Sequence, residues 1–166
     1  MGLFDKFKKN KKYSFICDIV SDLPKGLKYD EINELSNLSK EKLGCELPVD
    51  YKEFLSEING FSYDGFTIFS KFNENIKQLL PRTDEETNDV ICWNKMYYAM
   101  TDITDYIILG KSDLDYVAYD KEKNIYLILT NGTMDEMDKS ENFEELLRRY
   151  VKEIWNLWLL FFKEGI

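Results

Sequence analysis

The chain has 166 residues, the length of one domain, with 44% hydrophobic and 15% aromatic residues, enough for a sizeable core. Its net charge of −9 is unevenly placed: residues 1–12 hold five Lys and one Asp, so the remainder carries −13 and should repel nucleic acid and attract basic partners. The absence of histidine removes the commonest neutral-pH general base and the commonest zinc ligand. The three cysteines, Cys17, Cys45 and Cys92, have neither metal-ligand nor redox-motif spacing, and free thiols point to a reducing, cytoplasmic compartment.

In chain order, residues 1–12 read as a basic, flexible leader, and 13–166 as a single domain. Leu3, Phe4 and Phe7 share one helical face among lysines, the pattern of a weak membrane-surface contact. Residues 13–25 read either as a short strand, Ser14 to Val20, or as a helix start. A helix follows from about Lys28 to Leu43. Ile32, Leu35 and Leu38 recur every three, and Gly44 stops it.

Leu47-Pro48 opens the next helix, since proline suits a first turn whose N–H groups have no partner. Tyr51, Phe54, Leu55 and Ile58 form its apolar stripe, and Asn59-Gly60 ends it. Tyr63-Asp64-Gly65 is a turn, and Phe66 to Phe69 a strand. Residues 72–80 suit a short helix. Asp84 to Met100 suits a longer one, acidic at its start and apolar later. Strands are expected at Tyr106–Leu109, Tyr116–Tyr119 and Ile125–Leu129, with Met134–Met137 a further candidate. Short polar turns separate them, so the pairing should be antiparallel. Ser140 or Asn142 caps a last helix running to about Lys163, with Phe143, Leu146, Leu147, Tyr150, Val151, Ile154 and Trp155 on its face. The fold class is α+β: a mostly antiparallel sheet with helices packed against it. The apolar run Ile154 to Phe162 is too short to span a bilayer, so no stable membrane insertion is expected.

The set Gly44-x-x-Leu47-Pro48-x-x-Tyr51-x-x-Phe54-Leu55-x-x-x-Asn59-Gly60, then Asp64-Gly65 and a strand, resembles the SUKH superfamily, the Smi/Knr-like family. Ile107-Ile108-Leu109-Gly110, Tyr116-Val-Ala-Tyr119-Asp120 and Asn142-Phe143-Glu-Glu-Leu146-Leu147 look like it too, so the likeness spans roughly residues 28–150. The spacing of Asn59-Gly60 and Gly65 is similar to the YrhA-like branch. The resemblance implies an α+β fold and no shared catalytic residues. It implies a protein-binding module. Many bacterial members are inferred to be immunity proteins that neutralise polymorphic toxins, often nucleases or deaminases. Fungal members are interaction hubs in cell-wall and signalling regulation. The Lys-rich leader and the apolar C-terminal run depart from the family's simplest form and leave open a membrane-proximal role or a homodimer contact through the last helix.

Candidate chemistry fails site by site. Asp113-x-Asp115 and Asp120-x-Glu122-x-Asn124 look like calcium-loop fragments, but Ile125 stands where the loop needs Gly, and Asn131 where it needs the bidentate Glu. Gly110-Lys111-Ser112 ends like a phosphate loop, yet Asp105 replaces its first glycine. Cys45 lies at a helix N-terminus without a histidine to serve as base. No catalytic, cofactor-binding or metal-binding residue is expected.

The acidic surface is the functional candidate. Asp84, Glu85, Glu86 and Asp89 form one cluster, Asp113 and Asp115 a second, and Asp135, Glu136 and Asp138 a third. Tyr63, Trp93 and Tyr116 are candidate aromatic anchors, because aromatics supply most interface affinity. The expected partner is a basic toxin domain, nuclease-like, occluded stoichiometrically. The alternative is an intracellular regulatory or scaffold module of the Smi/Knr type.

Overall fold

A computed structural model describes residues 11–71 and 89–164, with the side chains of residues 155 and 157–164 outside that description. The helix expected at 72–80 lies outside the described residues. The described chain holds a short 3-10 helix (Ser14–Asp18), four α-helices and six strands. The helices are α1 (Tyr29–Leu43), α2 (Val49–Glu57), α3 (Val90–Thr101) and α4 (Phe143–Glu164). The strands are β1 (Phe61–Tyr63), β2 (Phe66–Ile68), β3 (Tyr106–Lys111), β4 (Asp115–Asp120), β5 (Ile125–Thr130) and β6 (Glu136–Ser140). They form one open sheet in sequence order, antiparallel throughout. The α+β fold read from the sequence is the fold observed.

Residues 13–25, which fitted either strand or helix, contain the 3-10 helix. It is pinned at its start, where Lys12 N–H and Tyr13 N–H both donate to the Glu57 carboxylate and Lys12 Nζ reaches Glu53 at 2.8 Å. Lys12 is thus anchored to α2 rather than loose. Glu31 accepts the Lys28 N–H at 2.8 Å and closes the start of α1, and Gly44 at φ 77° ends it in the left-handed region.

The buried stripe of α1 differs from the expected one. Leu38 is exposed, and Ser36 and Ser39 are buried beside Ile32, Leu35 and Leu43. A straight helix advances 100° per residue, so 32, 35/36, 39 and 43 share a face better than a strict run of threes. The serines fit there because each has a main-chain partner in the α1–α2 connection. Ser36 Oγ accepts the Leu47 N–H at 3.2 Å, and Ser39 Oγ donates to the Cys45 carbonyl at 2.7 Å.

Pro48 stands just before α2 in extended conformation, and Tyr51, Phe54 and Leu55 are buried as expected. Ile58 is buried too but already extended, so α2 ends at Glu57, before Asn59-Gly60. The turn at Tyr63-Asp64-Gly65 joins β1, a three-residue strand beyond those the sequence pattern predicts, to β2. Asp64 and Gly65 have φ of 46° and 78°, the conformation that two-residue hairpins require.

Helices cover both faces of the sheet. Alternate residues of β4 point to opposite faces. Tyr116 meets Trp93 of α3, with ring centroids 5.6 Å apart. Tyr119 faces the other way and meets Tyr126, which packs on Phe143 of α4 at 5.3 Å. Phe143 is fully buried among Tyr51, Phe54 and Tyr13, at 5.7, 5.7 and 6.2 Å. Burial of such a ring contributes about 1.5–3 kcal/mol. Its own N–H donates to the Asp50 carboxylate at 3.0 Å, so α2 supplies a cap to α4. On the opposite face, Asn94 of α3 is wholly buried and clips β3. Its Nδ2 donates to the Ile108 carbonyl at 2.7 Å, and its Oδ1 accepts the Ile108 N–H at 2.8 Å.

Candidate functional site

Three of the four tight turns of the antiparallel sheet emerge at one end. They are the β1–β2 turn at Asp64-Gly65, the β3–β4 turn at residues 112–114, and the β5–β6 turn at residues 131–135. The topology requires this, because alternate turns of a meander lie at the same end. Two sequence clusters, Asp113 with Asp115 and Asp135 with Glu136, are thereby brought to one end of the sheet, as is Asp64.

The second and third turns are tied to each other. Asn131 N–H donates to the Leu114 carbonyl at 2.7 Å, its Nδ2 reaches the Asp113 carbonyl at 3.3 Å, and Tyr116 Oη lies 2.8 Å from Asn131 Oδ1. Each turn is also closed internally. Ser112 Oγ accepts the N–H groups of Leu114 and Asp115. In the third turn, the Asp135 N–H donates to Thr130 Oγ1, Thr130 Oγ1 meets Thr133 Oγ1 at 2.6 Å, and Thr133 Oγ1 donates back to the Asp135 carboxylate at 2.6 Å. Short polar side chains that bond to nearby backbone are what hold such turns in shape. The carboxylates are therefore presented from fixed backbone, with Leu114 76% exposed at the tip and Met137 65% exposed on β6.

The acids differ in what they have available for a partner. Asp64 and Asp113 are exposed. Asp115 is half-buried and accepts a hydrogen bond from Tyr150 of α4 at 3.0 Å. Glu136 makes an exposed ion pair with Lys139 at 2.9 Å, a contact too solvated to withhold it from a competitor. Asp138 points instead to the α4 face, where Arg149 grips it through Nε and Nη2 at 2.9 and 3.1 Å. That guanidinium holds the Asp138 carboxyl below its usual range, against a smaller opposing effect of burial. Asp138 is thus a structural ion-pair member standing apart from the turn end.

Other expected site residues are placed elsewhere. Asp84, Glu85 and Glu86 lie outside the described residues. Asp89 is 7% exposed and caps α3, its Oδ1 accepting the N–H groups of Ile91 and Cys92 at 2.9 Å. It is a helix-start residue rather than a surface acid. Trp93 is 6% exposed, packed between Phe69 and Tyr97 at 5.1 and 5.2 Å, so it belongs to the core and not to an exposed anchor. Its place one turn into α3, on the face that meets Tyr116, dictates this. Tyr63 and Tyr116 are half-buried. Tyr63 borders a shallow apolar recess with Ile19, Phe66, Val151 and Ile154.

Asp64, Leu114 and Met137 belong to the turn end but were not among the sequence candidates. The signal for Leu114 was present: an apolar residue inside a polar turn, Lys111-Ser-Asp-Leu-Asp115, has no core to enter.

The other end of the sheet is built for structure. Asp120 is buried and its Oδ1 accepts the N–H groups of Glu122 and Lys123, so the calcium-like fragment is a β-turn closure. Lys121 Nζ donates to the Leu43 and Thr104 carbonyls at 2.7 and 2.6 Å and lies 4.8 Å from the centroid of the Tyr98 ring. Burial there lowers the Lys121 pKa from its ordinary value. Among the described residues, no group of three or more acidic or thiol side chains is placed to hold a metal ion. No described helix is long and apolar enough to cross a membrane.

Comparison with known proteins bears on the fold and the family. The family model described as SMI1 / KNR4 family (SUKH-1) matches residues 31–149. No curated protein matches the chain. Among solved structures, a crystal structure of a protein from Pseudomonas syringae pv. tomato is similar with a TM-score of 0.57 and 13% identity, covering 84% of this chain and 95% of that one. At that identity the likeness concerns the fold.

Proposed function

The chain belongs to the SMI1/KNR4 family (SUKH-1), and from that premise we propose that it is a non-enzymatic, protein-binding immunity protein. Its partner is a cognate toxin domain with a basic, nucleic-acid-binding surface. Neutralisation is stoichiometric, by occlusion of that surface, in the cytoplasm. The carrying observation is the turn end: Asp64, Asp113, Asp115, Asp135 and Glu136 lie in or beside turns at one end of the sheet, with the exposed Leu114 on the middle turn.

Three physical effects favour such a surface as a binder of a basic protein. Carboxylates concentrated on one end of an acidic body steer a basic partner toward it and speed the encounter. The turns are braced by their own hydrogen bonds, so little conformational entropy is lost on docking. Leu114 supplies an apolar centre inside a charged rim, the arrangement in which a buried contact yields most affinity.

The test is co-expression with the toxin domain encoded beside this protein, scored by growth and by co-purification, for the unaltered chain and for Asp113→Lys/Asp135→Lys/Glu136→Lys. Rescue by a one-to-one complex, lost in the triple variant, is the expected result. Rescue that survives the triple charge reversal overturns the turn end as the binding surface. Toxicity without rescue overturns the immunity reading and leaves the regulatory module of Smi/Knr type.

A further inference from the structure

Among the described residues, β6 is one edge of the sheet, hydrogen-bonded to β5 alone. Such an edge offers unpaired N–H and C=O groups to any further strand. Which groups face outward follows from the ladder. Across the β5–β6 turn, Thr130 N–H donates to the Asp135 carbonyl. Main-chain groups alternate sides along a strand, so Ile128 and Tyr126 also turn theirs toward β6, while Leu127 turns its own toward β4. Lys139 stands opposite Leu127. Its N–H and C=O therefore point out of the sheet, where another strand would add.

Both of those groups are already taken. The Lys139 N–H donates to Asp138 Oδ1 at 2.8 Å, and the Lys139 carbonyl accepts from Arg149 Nη2 at 2.9 Å. The same two side chains hold each other, through Nε to Oδ2 at 2.9 Å and Nη2 to Oδ1 at 3.1 Å. Glu145, one turn earlier in α4, accepts Arg149 Nη1 at 2.9 Å and fixes the guanidinium from its other end. A register shift between Ile128 and Leu129 leaves Met137 without a cross-strand partner just before this point, which further breaks the edge.

We propose that the Asp138–Arg149 pair is a lock on the free edge of the sheet that keeps β6 from adding a strand from a second copy of the chain. The natural intruder is another copy, since every molecule carries the same edge and two such edges pair about a twofold axis. An ordinary salt bridge between a strand and a helix would bind only side chains. This one spends a donor and an acceptor on Lys139, a residue whose backbone faces out. The inference is independent of what the turn end binds.

The test has two readings. In the unaltered chain, amide exchange at Lys139 should be slowed despite its edge position, and Asp138→Ala should speed it at least tenfold. Lys139 exchanging at the rate of an open amide in the unaltered chain overturns the lock, and this reading needs no variant to fold. The second reading is molar mass against concentration by light scattering. Asp138→Ala/Arg149→Ala should associate beyond the state of the unaltered chain, and adding Lys139→Pro should reverse it, because proline removes the outward N–H. A folded double variant of unchanged mass overturns the proposal. So does association that persists with the proline.

Discussion

The hydroxyl of Tyr150 donates to the Asp115 carboxylate at 3.0 Å, and Ser112 Oγ lies 3.3 Å from that same tyrosine oxygen. A residue in the body of α4 thereby fixes the start of β4 and the turn before it. Burial raises the Tyr150 pKa well above its ordinary value, so the hydroxyl keeps its proton and remains a donor. Tyr150→Phe should cost about 1 kcal/mol, the net worth of one hydrogen bond. For a chain of this size that is a fall in Tm of about 2–4 °C by calorimetry. A Tm unchanged within error would show that water replaces the bond at no cost.

Asp89 and Asp113 should separate stability from binding. Asp89→Ala removes an N-cap that accepts two N–H groups, and caps of this kind are worth about 0.5–2 kcal/mol. Its denaturation midpoint should fall while affinity for a basic partner holds. Asp113→Lys, at an exposed turn, should shift stability by no more than about 0.5 kcal/mol. It should slow association, most visibly at low salt. Urea titration and stopped-flow mixing read the two effects.

Phe143 and Leu114 are both large apolar residues, with opposite expected costs. Phe143→Ala opens a cavity where four aromatic rings meet and should cost about 3–5 kcal/mol. Leu114→Ala removes a side chain already in water and should leave the urea midpoint in place. A similar loss from both would mean that the turn end is a folding element and not a free surface.

Raising the pH should unfold the protein through its tyrosines. Tyr13 and Tyr126 have pKa values pushed far up, first by burial and then by the charge of Asp50. Tyr51 is raised well above its ordinary value by burial, with Asp89 adding to the shift. In the unfolded chain these groups titrate near the ordinary value of about 10. Below that pH the folded and unfolded states bind equal protons, and the contribution to stability is complete. Above it the unfolded state loses protons first, so stability falls as pH rises toward the folded values. Tyrosinate absorbance should therefore appear in step with loss of circular dichroism. Buried tyrosines ionising in a chain that stays folded would contradict this.

The sequence made the meander legible because its turns carry their own chemistry. Asp64-Gly65 and Asn131-Gly132 mark turns by backbone permissiveness, which requires no tertiary information. The face of α4 was legible for the same reason: Phe143, Leu146, Leu147, Tyr150 and Val151 recur with the helix period and are buried. What escaped the sequence depends on long-range partners. Ser36 and Ser39 look like solvent-facing residues until the α1–α2 connection brings backbone to them. Trp93 looks like an available anchor until Tyr116 arrives from a distant strand. Asp138 looks like one of three clustered acids, yet strand alternation sends it to Arg149 and its neighbours to solvent. The gathering of Asp64, Asp113 and Asp135 could not be seen locally, since it follows from sheet order.

That order also governs how the chain is made. Every strand pairs with its neighbour in sequence, so the sheet grows as synthesis proceeds and each new strand finds its template already present. From β3 to β6 short turns keep these contacts local, which favours rapid formation. The aromatic cluster around Phe143 obeys the opposite schedule. Tyr13, Tyr51, Phe54 and Tyr126 are all translated before the ring that fills the space between them. A nascent chain halted before α4 therefore holds an assembled sheet with one oily face bare, the species a chaperone would hold until the last helix docks.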